Sequence, residues 1–315
     1  MKTLTPGLIC LVLVAQTIEA GEAQPAGRSQ WVTPPVRTPG LYYRTFYSRA
    51  ARSEVSYHIY LPEAYTQDEE RRFPVLYYLH GSNGGVRGLA FVTGYFNAAI
   101  AEGRIPPMLV VFPNGLRLSM WCDSKDGRTP VETVVVKELI PHVDQAFRTI
   151  ASRVGRAVEG FSMGGYGAAR LAFKYPELFC ALSMLAPGPL QLKFPEIGPR
   201  TTQRKRDRVF AQVYGSDQEY FEQQSPWRLV EKKAEALKRD MLVRMVIGER
   251  DEMLSINRSF HLHLKRLGIP HTFIVLPGLG HNPPAVLSAL SELGDKNWSF
   301  YHEAFGVVSS PEPQG

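Results

Sequence analysis

The stretch GRAVEGFSMGGYGAARLAFKYPELF, Gly155 to Phe179, sets one serine among four glycines where an apolar run gives way to a helical pattern. Glycine inside a regular element costs about 0.5–1 kcal/mol relative to alanine, so Gly160, Gly164, Gly165 and Gly167 mark a backbone that a Cβ would obstruct. Gly160-Phe161-Ser162-Met163-Gly164 fits G-x-S-x-G, with a strand before it and a helix after. In that setting the serine takes a strained conformation that lifts its hydroxyl to the mouth of a sheet. Ser162 is then a candidate nucleophile, and Met163 at the helix start offers its N–H to an oxyanion. The pentapeptide alone is weak, because glycine and serine are common in plain structural turns.

The partners decide. A serine nucleophile needs a base and an acid that orients it, following in the order Ser, Asp/Glu, His at the ends of later strands. Asp251 closes VRMVIGERD directly after an apolar strand, and His281 closes FIVLPGLGH after the next. Gly278, Gly280, Pro283 and Pro284 around His281 place it on a loop, where it is poorly suited to core packing. Among the other histidines, His58 and His271 belong to strands, His142, His261 and His263 to helices, His302 to the tail, and His80 precedes the serine altogether. The acid has two rivals, Asp217 in YGSDQEYF and Glu249, but Asp251 falls where its strand has just ended. A fourth part is YYLHGSNGG, a strand ending in a glycine-rich turn, from which Ser82 would give a second oxyanion N–H.

Working outward, FPVLYYLHG, MLVVFPNG, RAVEGFS, FCALSMLAP, MLVRMVIGERD and HTFIVLPG are apolar runs suited to strands buried on both faces. LYYRTFYS and SEVSYHIYLP, Leu41 to Ser48 and Ser53 to Pro62, alternate as a half-exposed antiparallel hairpin does. VETVVVKELIPHVDQAF, despite its three consecutive valines, carries apolar residues at helical spacing and reads as a helix bent at Pro141. Strands separated by helices predict an α/β fold with a mostly parallel sheet and right-handed crossovers. The rhythm lapses over residues 187–240, an expected insert over the sheet's carboxyl edge that ends in a helix capped by Ser225. The expected organisation is a signal peptide over 1–20, a linker over 21–40, a catalytic domain over 41–306 and a flexible tail over 307–315.

The chain of 315 residues, 44% hydrophobic and 21% charged, has globular composition, which excludes disorder, collagen and coiled coil. Its first residues carry one lysine, an apolar run from Leu8 to Ala15 and the small-residue site Ile18-Glu19-Ala20, as an export signal does. That run is too short to span a bilayer, so no stable membrane anchor is expected once it is removed. Cys122 and Cys180, the cysteines that survive cleavage, are expected to stay unpaired, and no zinc-like Cys/His spacing is present. Much of the net charge of +6 sits in RTTQRKRDR, Arg200 to Arg208. A solvated loop is the expected reading; an anionic ligand is the alternative, and nucleic acid is not expected because no aromatic side chains interleave to stack bases.

With LHGSNGG, MWCDSKDG, ETVVVKELIPHVDQAFRT, the serine stretch, GERDEML and LPGLGHN on the page, the chain resembles a bacterial esterase family of the α/β-hydrolase superfamily. That group includes esterase D, feruloyl and acetyl-xylan esterases, enterochelin-type siderophore esterases and mycolyltransferases. The resemblance covers about Tyr42 to Phe305. It implies an α/β-hydrolase fold, Ser162, His281 and Asp251 as catalytic residues, and Ser82 and Met163 as oxyanion donors. It also places Trp121 and Asp123, after the VVF strand, in the loop where the family lines its substrate cleft; Trp121 would stack on a sugar or aryl group or else serve as packing. The family often has tryptophan after the histidine, whereas here Asn282 follows His281. The expected function is a secreted, cofactor-independent serine esterase acting on small-molecule or polysaccharide esters. Its rivals are an acyltransferase of the same fold and a non-catalytic binding module. Removal of the leader is directly testable: protein from the native host's exported fraction should begin near Gly21 on N-terminal sequencing, and Met1 on mature protein would refute it.

Overall fold

The computed structural model describes residues 29–309 apart from 83, 189 and 195–201. The expected signal peptide over 1–20, residues 21–28 and residues 310–315 lie outside the described residues. In chain order the elements are β1 (Leu41–Ser48), β2 (Ser53–Tyr60), α1 (Ala64–Gln67), β3 (Val75–Leu79), α2 (Leu89–Ala101), β4 (Leu109–Pro113), α3 (Val131–Thr133) and α4 (Ile140–Ala146). They continue with β5 (Arg156–Phe161), α5 (Met163–Lys174), β6 (Ala181–Leu185), α6 (Gln203–Tyr214), α7 (Gln218–Gln224) and α8 (Pro226–Asp240). The chain then forms β7 (Leu242–Gly248), α9 (Leu254–Arg266), β8 (Thr272–Leu276), α10 (Pro283–Glu292) and α11 (Asp295–Ser309).

Among the described residues, eight strands form one sheet in the order β1-β2-β4-β3-β5-β6-β7-β8. β1 and β2 are antiparallel to each other and β2 to β4; from β4 to β8 every pairing is parallel. The apolar runs follow from this. Successive side chains point to opposite faces, and both faces are covered. Val75, Tyr77 and Leu79 pack under α5 and α8, while Leu76 and Tyr78 pack under α2, α10 and α11. β8 departs from the expectation of full burial: it closes the sheet, so Thr272 is exposed and the next three residues are only partly covered. β2, read as half-exposed, is interior and buried from Val55 to Tyr60, whereas β1 at the edge keeps alternating exposure.

Residues 131–146 are helical as their spacing predicts, with a π-helical stretch, Val134–Leu139, between α3 and α4. Pro141 lacks an N–H and its ring crowds the preceding turn, a recognised cause of such a widening. The supposed linker is in part structured: Trp31 is buried, its carbonyl accepts from Ser56 N–H at 2.9 Å, and Thr33 N–H donates to Ser56 Oγ at 2.8 Å. α11 carries helix to Ser309, past the point where a tail was expected. The basic segment is not a loop from Thr202 onward, where the threonine caps α6 by accepting from Lys205 N–H. Cys122 is buried and Cys180 half-buried, and neither is in a disulfide. No helix among the described residues is long and apolar enough to cross a membrane.

Docking of the N-terminal segment makes one histidine titration readable. His58 is buried on β2, and its Nε2 accepts the Val36 N–H at 3.0 Å. Burial pushes its pKa down to about 4. The unfolded chain therefore takes up this proton first, and stability falls as pH drops from about 6.5 to about 4. In His58→Gln, the loss of stability between pH 7.5 and 4.5 should be smaller than in the wild type by roughly 2–3 kcal/mol, read from urea midpoints.

Candidate active site

Ser162 joins β5 to α5 with φ 59° and ψ −119°, a left-handed conformation that costs a non-glycine residue of order 1–3 kcal/mol. Its surroundings hold it there. Its N–H donates to Leu185 O at 2.9 Å, and its carbonyl accepts from Tyr166 N–H at 3.0 Å. Two glycines let the turn close: a Cβ on Gly160 would lie 2.4 Å from the Gly164 carbonyl group, and one on Gly164 would lie 1.9 Å from Leu79 O. No side chain fits either gap.

Above the turn runs a chain of hydrogen bonds. The Ser162 hydroxyl lies 2.8 Å from His281 Nε2, and His281 Nδ1 lies 2.6 Å from Asp251 Oδ2. The carboxylate can only accept, so Nδ1 carries the proton and Nε2 presents its lone pair to the serine. Asp251 is buried, and its other oxygen takes the Met253 N–H at 2.9 Å. The two loops are tied together: Arg250 N–H donates to Leu279 O at 2.8 Å, and Gly278 N–H donates to Glu249 Oε2 at 2.8 Å. Glu249 thus braces the histidine loop. Asp217 lies elsewhere, capping α7 through Tyr220 N–H and pairing with Lys125. Asn282, in the position where the family often has tryptophan, caps α10, with Pro283 and Pro284 in its first turn.

Ser82 and Met163 both line the cavity over Ser162, with the glycine-rich turn passing close by: a Cβ on Gly81 would lie 3.5 Å from Ser162 Cβ. Met163 N–H, in the first helical turn, has no carbonyl four residues back within the helix to meet. His80, which sequence reasoning set aside, organises this turn. Its Nδ1–H donates to Gly81 O at 2.8 Å while Nε2 accepts Gly115 N–H at 3.0 Å, so the ring latches the β3 loop to the β4 loop. Burial holds its pKa down at about 4, which keeps the ring neutral and Nε2 free to accept. The sequence signal was available in the pair His80-Gly81 at a strand end facing Asn114-Gly115 at another.

Trp121 and Asp123 are not brought into the cavity. Trp121 is fully buried between Gly115 and Gly167, where a Cβ on either glycine would come within 2.4 Å of the indole. Its Nε1–H donates to His80 O at 3.1 Å, so the indole supports the turn that follows β3. Asp123 accepts from Thr133 N–H at 3.0 Å and from its hydroxyl at 2.6 Å, fixing the start of residues 131–146. What this loop does present is Leu118 and Met120, both with positive φ, which line the cavity while Trp121 turns inward.

Behind the serine helix, Arg170 is fully buried and spends its donors on three segments. It reaches Trp121 O at 2.6 Å, Glu132 Oε2 at 2.6 Å, and Gln224 through Oε1 at 2.6 Å and the backbone carbonyl at 2.8 Å. Burial alone would raise the Glu132 carboxyl, but the charges of Arg170 and Lys174 prevail and hold it at about 2. The cavity itself is about 740 Å³, with apolar walls from Leu118, Met120, Phe161, Phe194 and Met253. Among the described residues no cluster of His, Cys, Asp and Glu is arranged to hold a metal ion.

A mostly parallel sheet with helices on both faces, and a serine raised on the turn after its central strand, define an α/β-hydrolase. Within that class the chain belongs to the esterase family whose model, described as "Putative esterase", matches residues 48–264; the match contains Ser162 and Asp251 and stops short of His281. It is 32% identical over 165 residues to an endo-1,4-beta-xylanase/feruloyl esterase of Xylanibacter ruminicola, covering 48% of this chain and 22% of that protein. It is 34% identical over 158 residues to an esterase of Mycobacterium tuberculosis, covering 49% of this chain and 34% of that protein. The match thus spans about a fifth and about a third of these two curated relatives. A solved ferulic acid esterase superposes with a TM-score of 0.67 at 25% identity, over 82% of this chain and 98% of that one.

The placement of Trp121 separates packing from substrate contact. Trp121→Ala should lower stability by about 3–5 kcal/mol in chemical denaturation, as truncation of a fully buried aromatic does. A variant of unchanged stability with only a raised KM would refute the buried role.

Proposed function

We propose that the protein is an exported serine esterase that hydrolyses carboxylic esters through Ser162, His281 and Asp251, with acyl or feruloyl esters of carbohydrates as its substrates. The observation that carries this reading is the unbroken path Ser162 hydroxyl, His281, Asp251 beneath an open cavity. Ser162 Oγ attacks the ester carbonyl as its proton passes to His281 Nε2, and Asp251 stabilises the imidazolium. The carbonyl oxygen, now negative, is met by the N–H groups of Met163 and Ser82. Collapse breaks the bond to the alcohol oxygen, which leaves with the proton from His281. Water then enters, gives a proton to His281 and its hydroxyl to the acyl carbon, and collapse frees the acid as His281 returns that proton to Ser162 Oγ.

The apolar walls suit an aryl or acyl group, and the relatives named for feruloyl esterase activity support the carbohydrate assignment. Export rests on the short apolar run before Ala20.

Two experiments test the chemistry. An organophosphonate should label Ser162, as mapped by peptide mass, and Ser162→Ala should lose hydrolysis of p-nitrophenyl acetate; adduct on another residue would overturn the assignment. Asp251→Asn should keep the fold by circular dichroism and lose about ten-thousand-fold in turnover, the effect of the wrong imidazole tautomer in a well-studied protease of this mechanism. Asp217→Asn should lose little, since its carboxylate caps α7 away from His281.

A further inference from the structure

The cavity walls carry three cations, Arg87, Lys205 and Arg206, and among the described residues no aspartate or glutamate lines them. The cations come from separate parts of the chain. Arg87 lies in the glycine-rich segment just before α2, and Lys205 and Arg206 lie in the first turns of α6, within the basic run that composition alone left without a role. Arg206 also bonds Gln203 Oε1 at 2.7 Å. Arg87 and Lys205 have no carboxylate partner among the described residues. Of the surface cations in the insert and beside it, Lys125 pairs with Asp217, Arg228 with Glu231 at 3.0 Å and Lys238 with Glu235 at 2.7 Å, and what sets Arg87 and Lys205 apart is that they line the cavity. Charges that merely keep a surface soluble are interspersed in sign, whereas like charges facing one concave space attract a counter-ion into it.

We infer that the cavity selects esters bearing a carboxylate, held by Arg87 and Lys205 while the ester carbonyl lies at Ser162. This rests on the ester-hydrolase reading of the same site. Salt screens contacts of this kind, so the preference should weaken as ionic strength rises. Arg87 is exposed and Lys205 half-buried, so each contact is a rim interaction in partly screened surroundings. Removal of one such charge should cost about 2–5-fold in kcat/KM for the anionic substrate.

The test uses two matched pairs of esters, which also locate the charge. 4-Nitrophenyl hemisuccinate against 4-nitrophenyl butyrate places the carboxylate in the acid part; 4-acetoxybenzoate against its methyl ester places it in the alcohol part. The quantity read is the anionic-to-neutral ratio of kcat/KM, compared between proteins so that differences in leaving-group reactivity cancel. In at least one pair the ratio should fall about 4–25-fold from wild type to the Arg87→Gln, Lys205→Gln double variant, the product of two rim contacts. It should also fall in the wild type as ionic strength rises from about 0.02 to about 0.5 M. Arg87→Lys should retain most of the preference. Ratios that are the same in wild type and double variant for both pairs, with the neutral esters still hydrolysed, would overturn the inference and leave the esterase reading intact. Failure to hydrolyse any of the four esters, together with no phosphonate adduct on Ser162, would overturn both.

Discussion

The first turn of α5 rests against the carbonyl of Leu79 with no room for a side chain between them, and the rest of the site is built out from that contact. Leu79 ends β3, so the turn bearing Gly81 and Ser82 begins where the helix bearing Met163 touches it. The spacing between Ser162 and the turn bearing Gly81 and Ser82 is therefore set by backbone against backbone. The other half of the site repeats the device: a Cβ on Gly248, at the end of β7, would lie 2.2 Å from Leu279 O, which brings the Asp251 loop against the His281 loop. Two glycine contacts thus fix four elements of the candidate site relative to one another, and side chains need only fill the remaining space.

Buried charge does comparable work deeper in the sheet. Glu159, three residues before Ser162 on β5, pairs with Arg244 of β7 at 2.8 Å, both fully covered. Arg244 also reaches Ser183 of β6 at 3.1 Å and Asn297 of α11 at 2.9 Å through its side chain. Tyr301 adds its hydroxyl to the same carboxylate at 3.0 Å. A pair so enclosed gives little net stability over an apolar replacement, but losing one partner strands the other at a cost of about 3–5 kcal/mol. It therefore penalises any slip of β7 relative to β5, a register on which the separation of Asp251 and Ser162 depends.

What could be read from the chain was the set of features that local chemistry dictates. G-x-S-x-G between strand and helix, the Asp251 and His281 strand ends, and the helical spacing across Val134 to Val136 each carry their signal within a few residues. Trp121 failed that test because its role is decided by two glycines remote in sequence, Gly115 and Gly167, that leave a slot the indole fills. His80 was passed over because its partner, Gly115 N–H, belongs to another loop. Trp31 hid in a segment of prolines and polar residues, and its burial follows from docking on β2, where its carbonyl accepts the Ser56 N–H. In the insert the aromatic side chains that join it to the main core, Phe194, Phe210, Tyr214 and Phe221, are spread too widely for a periodic signal to emerge.

Arg170 has a consequence for how the molecule comes apart. Its guanidinium sits on the helix that carries the serine, yet two of its bonds end on Gln224, the last residue of α7 in the insert. Detaching the insert would break both bonds and leave the guanidinium only Glu132 and Trp121 O, so local opening carries a cost of its own. Insert and framework should then behave as one cooperative unit, melting in a single transition and exchanging their core amide hydrogens together. The insert, which lends Phe194, Lys205 and Val209 to the cavity wall, is in this way tied to the helix that carries Ser162.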